Sequence, residues 1–250
     1  MSKANGNGTA NGASTEPRFQ VPKKVIEVPN YTIGVCEIEI IGGAPLLVHQ
    51  FSEKARRAIE WKQQKGVSLP REKRNPVDDF FGGMYIISGD PRKDIKVTED
   101  KAEAAYVAEQ KSSKKCKAVH GIPASGFKRA MVRASKAAGA KMTDTMCGFF
   151  IIGHDHSQMV KLDFEHIVLH SAAVRLETGV CDIRYRPEYH GWSTVLRIEY
   201  DAKSMPLAQI VNLVRRAGRF IGWGEDRPEK GGSHGRFYVG EVRDLGEVNE

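Results

Sequence analysis

Arginines, histidines, aromatics and glycines gather at three places in this chain, and each cluster has the chemistry to hold phosphate. The densest runs from Gly218 to Val239, GRFIGWGEDRPEKGGSHGRFYV. Its glycines, Gly222 and Gly224 among them, let backbone turn sharply and approach a ligand closely. Exposed N–H groups in such a loop can hold phosphate oxygens, with Arg227, Lys230, His234 and Arg236 as donors beside them. The alternative is a long connection whose glycines only make turns. A second cluster lies in His120 to Gly139, where Arg129, Arg133 and Lys136 recur at helical spacing behind the small half-turn Ala124-Ser125-Gly126. Ser125 and Lys128 join the candidate contacts there. The third, Arg184-Tyr185-Arg186 with Tyr189 and Trp192, mixes arginines with aromatics, as does a surface that stacks bases and neutralises phosphates. A sheet edge with a cation–π contact would show the same residues.

Other chemistry finds less support. Neither GxGxxG after a strand nor GxxxxGK[ST] is present, so a P-loop enzyme is not expected. His154 and His156, or His166 and His170, resemble half of a metal site, but no third ligand is spaced to complete one. No metal, cofactor or catalytic residue is therefore expected. His49 can act as an acid or base, or be structural. It precedes a segment carrying Arg56 and Arg57, which are also candidate contacts.

These residues sit on a chain of 250 amino acids with 38 Lys and Arg against 31 Asp and Glu, a net charge of +7, which favours an anionic partner. Cys36, Cys116, Cys147 and Cys181 form no CxxC pair, so reduced thiols are expected rather than a zinc ribbon or disulfide framework. No apolar run is long enough to span a membrane and no apolar leader opens the chain, which reads as cytoplasmic.

Residues 1–18 have hardly an apolar side chain and read as a disordered tail, with order beginning near Lys24. Tyr31 to Ile41 alternates as a first strand. Ser52 can cap a helix that buries Ala55, Ile59 and Trp61. Residues 66–118 read as an insertion, with a short strand at Met84 to Ile87 and a lysine-rich helical or mobile stretch from Thr98 to Cys116. Pro123 to Gly139 is a helix with Phe127, Ala130, Met131 and Ala134 inward. Cys147 to Ile152, Met159 to Leu169 and Trp192 to Tyr200 are strands. A helix from Pro206 stops at Gly218, and a strand begins at Arg236. The expected fold is α+β: one RRM-like or ferredoxin-like domain over 24–245, with an antiparallel sheet and an inserted subdomain.

Three stretches together resemble the RAMP superfamily of CRISPR-associated proteins: the first strand with its loop and helix, the segment Gly121-Ile122-Pro123-Ala124-Ser125-Gly126-Phe127-Lys128-Arg129-Ala130, and the late helix running through a glycine-rich loop to Gly235-Arg236-Phe237. The second is similar to the Ile-Pro-Gly-Ser signature of the backbone subunits that polymerise along guide RNA, with Ala124 where glycine is expected. The resemblance implies an RRM-like core that grips RNA through these three stretches. Members that cut RNA carry an aspartate after the first strand. Gly43 to Gln50 has none, which argues against cleavage.

The expected function is thus a non-catalytic RNA-binding module of a CRISPR-like antiviral ribonucleoprotein. Its partners would be RNA or single-stranded DNA, further copies of itself along the strand, and other subunits of the complex. A metal-independent endoribonuclease using His49 or His234, and a phage or particle assembly protein without nucleic acid, are the alternatives.

Overall fold

The structure, a computed structural model, describes residues 30–70, 73–101, 105–175, 179 and 181–248. The expected tail and the expected start of order near Lys24 lie outside them. One compact unit begins at Tyr31. It is a mixed α and β fold whose sheets are antiparallel.

In chain order the elements are β1 (Ile33–Gly42), β2 (Leu46–Leu47), α1 (Glu53–Lys65), α2 (Pro76–Gly82), β3 (Ile86–Ser88), β4 (Val97–Asp100), β5 (Ala105–Ala108), β6 (Val119–Pro123), α3 (Ala124–Ala137), α4 (Met142–Cys147), β7 (Phe149–Ile152), β8 (Met159–Lys161), β9 (His166–Arg175), β10 (Cys181–His190), β11 (Ser193–Asp201), α5 (Leu207–Arg216) and β12 (Phe237–Val248). Among the described residues, no helix is long and apolar enough to cross a membrane.

The main sheet has the order β12-β1-β11-β7. Strand alternation sends Cys36, Ile38 and Ile40 of β1, with Leu196 and Ile198 of β11, to one face, where all five are fully buried. α3 and α5 pack on this side, contacting β7 and β12 respectively and each other. α3 supplies Phe127, Ala130, Met131 and Ala134 at the i, i+3, i+4, i+7 spacing of a buried stripe. The opposite face carries Glu37, Glu39, Glu199 and Glu241 among Arg197 and Arg243. A smaller sheet, β2-β10-β9, stands apart from the main one, and β3-β6-β8 and the β4–β5 hairpin complete the fold.

Several expected elements take another form. α1 has the expected capping by Ser52, whose hydroxyl accepts from the Ala55 N–H, yet buries none of its side chains; Ile59 and Trp61 are exposed. Among the described residues from Thr98 to Cys116 there is no α-helix: β4 and β5 pair antiparallel, with Val97 and Tyr106 packed against the core, and a short 3-10 turn covers Ser113–Lys115. Segment 66–118 has no core of its own, because Phe80, Met84 and Ile95 belong to the same buried cluster as Ile38 and Phe127. Cys147 closes a helix rather than opening a strand, and Met159 to Leu169 divides into β8 and β9. The chain stays helical beyond Gly218 as a π-helical turn over Ala217–Ile221, so that glycine does not end it.

Candidate functional site

A cavity of about 320 Å³ opens where three distant segments meet. His49 enters from the loop after β2, and Ser125, Gly126, Arg129 and Arg133 from the first three turns of α3. Gly222, Trp223, Gly224, Glu225, Arg227 and Glu229 come from the loop after α5. Local sequence explains the convergence. At Gly126 any Cβ would collide with the Trp223 indole, so glycine lets that ring lie against α3. Gly224, at φ 91°, brings the late loop down onto β2: a Cβ there would sit 2.5 Å from the Leu47 carbonyl oxygen, and the next residue, Glu225, donates its N–H to the same oxygen at 2.8 Å.

The arginines of the cavity are not equivalent. Arg133 donates to Glu229, and Arg227 donates to Glu229 at 2.8 Å and to the Gly224 carbonyl at 3.0 Å. Burial opposes ionisation of Glu229, but the two guanidinium groups overcome it and hold the carboxyl below its ordinary range. Arg129, exposed on α3, has no acidic partner among the described residues, and the lining, with three arginines against Glu225 and Glu229, keeps one net positive charge. Behind the wall, Arg186 is buried, its Nε has no hydrogen-bond partner, and loss of solvent lowers its pKa. Trp223, also buried, has an unpartnered indole N–H. Crowding by protein, then the charge of Arg186, holds His49 below the usual imidazole value despite the opposing pull of Glu225, so it is neutral at pH 7. Among the described residues, the cavity therefore presents Arg129 as a cation without an acidic partner, beside Glu225 and the ring of Tyr85.

Of the residues singled out in the sequence, His49, Ser125, Arg129, Arg133, Gly222, Gly224 and Arg227 are brought together here. The others lie elsewhere. Lys128 points away from the cavity, its ammonium 4.2 Å from the Phe150 ring centre. Arg56 is engaged on α1 with Glu53 and Glu60, and Arg57 is exposed on the same helix. Arg184 faces Asp182, Tyr185 packs edge-on against Tyr106, and Arg236 is exposed at the start of β12. His234 is held by Asp226. Trp192 is a correction: it is buried in the core and donates its N–H to the Ala44 carbonyl at 2.8 Å, so no base can stack on it.

The late loop also differs from an open nest of amides. The N–H groups of Gly222, Trp223, Glu225, Lys230, Gly231, Gly232, His234 and Gly235 all donate to carbonyls of the chain itself. Side chains and the first turn of α3, rather than the loop amides, line the cavity. Tyr85, Trp223 and Glu225 are wall residues that sequence reasoning passed over. A tryptophan flanked by two glycines was the available signal for one of them. No family model matches this chain, and no curated protein matches it either.

Proposed function

We propose that this chain is a non-catalytic RNA-binding module that grips single-stranded RNA at the cavity between α3 and the late glycine-rich loop. The observation that carries the reading is the convergence itself. The loop after the first strands, the helix opening at Ala124 and the loop after α5 are the three stretches through which RAMP backbone subunits would hold RNA, and all three line one cavity. Arg129 supplies charge for a phosphate near the N-terminal turn of α3, and the half-buried Tyr85 supplies a face for a base.

The fold fits this reading. Order β12-β1-β11-β7, with α3 preceding β7 and α5 preceding β12, is the β-α-β-β-α-β plan of an RRM-like or ferredoxin-like core. Residues 46–123 and 159–190 are then elaborations on it. Single-strand modules of RRM type lay bases on the open sheet face, but here that face is rich in glutamate, so the cavity side is the RNA side. Side-by-side assembly along the strand is part of the proposal, and the uncovered apolar residues of α1 support it.

The test is the absorbance ratio and size-exclusion profile of purified protein, followed by nuclease typing. A large species rich in 260 nm absorbance that collapses with ribonuclease but not deoxyribonuclease is the expected result. A nucleic-acid-free monomer that also fails to bind added RNA oligonucleotide at low salt would overturn the reading.

A further inference from the structure

We propose that His170, Glu188 and His234 form a binding site for a divalent cation of the zinc class. These residues are far apart in sequence, which is why histidine spacing alone does not disclose the site. β9 and β10 pair so that Arg186 lies opposite His170, which puts Glu188 diagonally beside that imidazole on the same face. His234 descends onto them from the late loop. His170 Nδ1 lies 2.5 Å and His234 Nε2 3.8 Å from the same oxygen, Glu188 Oε2, and the three ligand atoms are mutually within 4.8 Å.

The surroundings orient these groups as a second layer orients metal ligands. The Asp226 carbonyl accepts the His234 backbone N–H at 2.9 Å and its carboxylate lies 2.7 Å from the ring Nδ1, which turns the other ring nitrogen toward Glu188. His190 Nε2 holds the second oxygen of Glu188 at 2.9 Å, and the His190 ring is stacked on His166 with centroids 4.6 Å apart. His170 and His190 are in direct contact with Glu188, and His234 is the third imidazole to converge there, its Nε2 at 3.8 Å from the carboxylate and beyond hydrogen-bond reach.

Ligand atoms about 2.05 Å from a tetrahedral zinc lie about 3.3 Å from one another. The observed 2.5 and 3.8 Å separations straddle that value and the third is within 4.8 Å, so closure around an ion changes no separation by more than about 1.5 Å. Two imidazoles and one carboxylate suit Zn²⁺ and Co²⁺ over Mg²⁺ or Ca²⁺, which prefer oxygen donors. Three protein ligands leave a fourth position for water. An ion here would tie the late loop to the β9–β10 ribbon, and the other side of that loop lines the cavity. This coupling rests on the RNA-binding reading, whereas the ion site itself does not.

The experiment strips the full-length protein of metal and titrates it with Co²⁺ by visible absorbance, then displaces the cobalt with Zn²⁺. One saturating equivalent with ligand-field bands is expected. His234→Ala and Glu188→Gln should each weaken binding more than about 100-fold, and Asp226→Asn, which keeps every ligand, by about 10- to 100-fold. His154→Ala should titrate as wild type. Absence of saturation below about 0.1 mM, or a His234→Ala protein that binds as wild type does, overturns the site. The Asn variant decides the matter if the Ala variant fails to fold. Zn²⁺-loaded protein should bind a single-stranded RNA oligonucleotide more tightly than stripped protein; cobalt binding without any RNA binding sinks the functional reading and leaves the site standing.

Discussion

At the residue scale, two buried contacts make quantitative demands. Replacing a helical glycine by alanine gains up to about 1 kcal/mol, the full amount only in a helix interior, and Gly126 lies in the first turn of α3. At Gly126 the new methyl would meet the indole of Trp223, a large ring that is itself buried and packed against Phe127, so it cannot step aside cheaply. Overpacking costs about 1–3 kcal/mol and outweighs the helix gain, so Gly126→Ala should lower the melting temperature and reshape the cavity. A variant more stable than wild type would show that the indole is free to move. His120 makes a pH-dependent demand. It is buried, with Nδ1 2.9 Å from the Tyr189 hydroxyl and Nε2 without a partner, and burial pushes its pKa from 6.5 down to about 4. Between those values the unfolded chain binds a proton that the folded chain refuses. Stability is therefore undiminished above pH 6.5 and falls as pH drops toward 4, by at most about 1.4 kcal/mol per pH unit and about 3 kcal/mol in all. Urea midpoints measured at pH 7, 6 and 5 should converge between wild type and His120→Phe as pH falls; parallel curves would contradict the assignment.

At the scale of elements, the chain's own patterns announce which surfaces are apolar without saying what covers them. α3 was legible from its four inward residues, and β11 from its alternation, because each has a partner within the same chain. α1 has an equally plain cap and apolar positions, yet its Ile59 and Trp61 meet solvent, since periodicity reports the stripe and not the neighbour. The β4–β5 hairpin was hidden by its charges: pairing partners such as Val97 and Ala108 lie on either side of a polar run, and only cross-strand register reveals them. The cavity was half visible. Arg129, Ser125 and Gly224 stood out by type and spacing, whereas the sharing of the single Glu229 carboxylate by Arg133 and Arg227 depends on a fold-level meeting of α3 with the late loop. If α1 is the contact between successive copies, Ile59→Glu with Trp61→Glu should abolish the large species on RNA. Substitutions at such exposed positions change monomer stability by only about 0.5 kcal/mol, so the far-ultraviolet spectrum and melting temperature should stay put. An unchanged size profile on RNA would remove α1 from the assembly.

For the whole molecule, net charge and charge placement make different statements. A value of +7 permits attraction of nucleic acid to any side, but the two sides of the main sheet are unlike. The open face sets Glu37, Glu39, Glu199 and Glu241 against Arg197 and Arg243, and Arg243 is taken by Glu241 at 2.9 Å. In the cavity on the other side, Arg129 has no acidic partner among the described residues. Each phosphate neutralised on a single strand contributes about 0.7 to the slope of log affinity against log salt, because a condensed counterion is released. Arg129→Glu should therefore flatten that slope by at least about 0.7 and weaken binding at low salt, since it removes one counterion-releasing contact and adds repulsion. Arg243→Glu changes the molecular charge by the same amount on the acidic face and should leave the slope where it was. Equal slopes for the two variants would mean that only total charge matters, and would dissolve the cavity as a distinct site; a loss confined to Arg129→Glu would assign the phosphate path to the α3 side of the sheet.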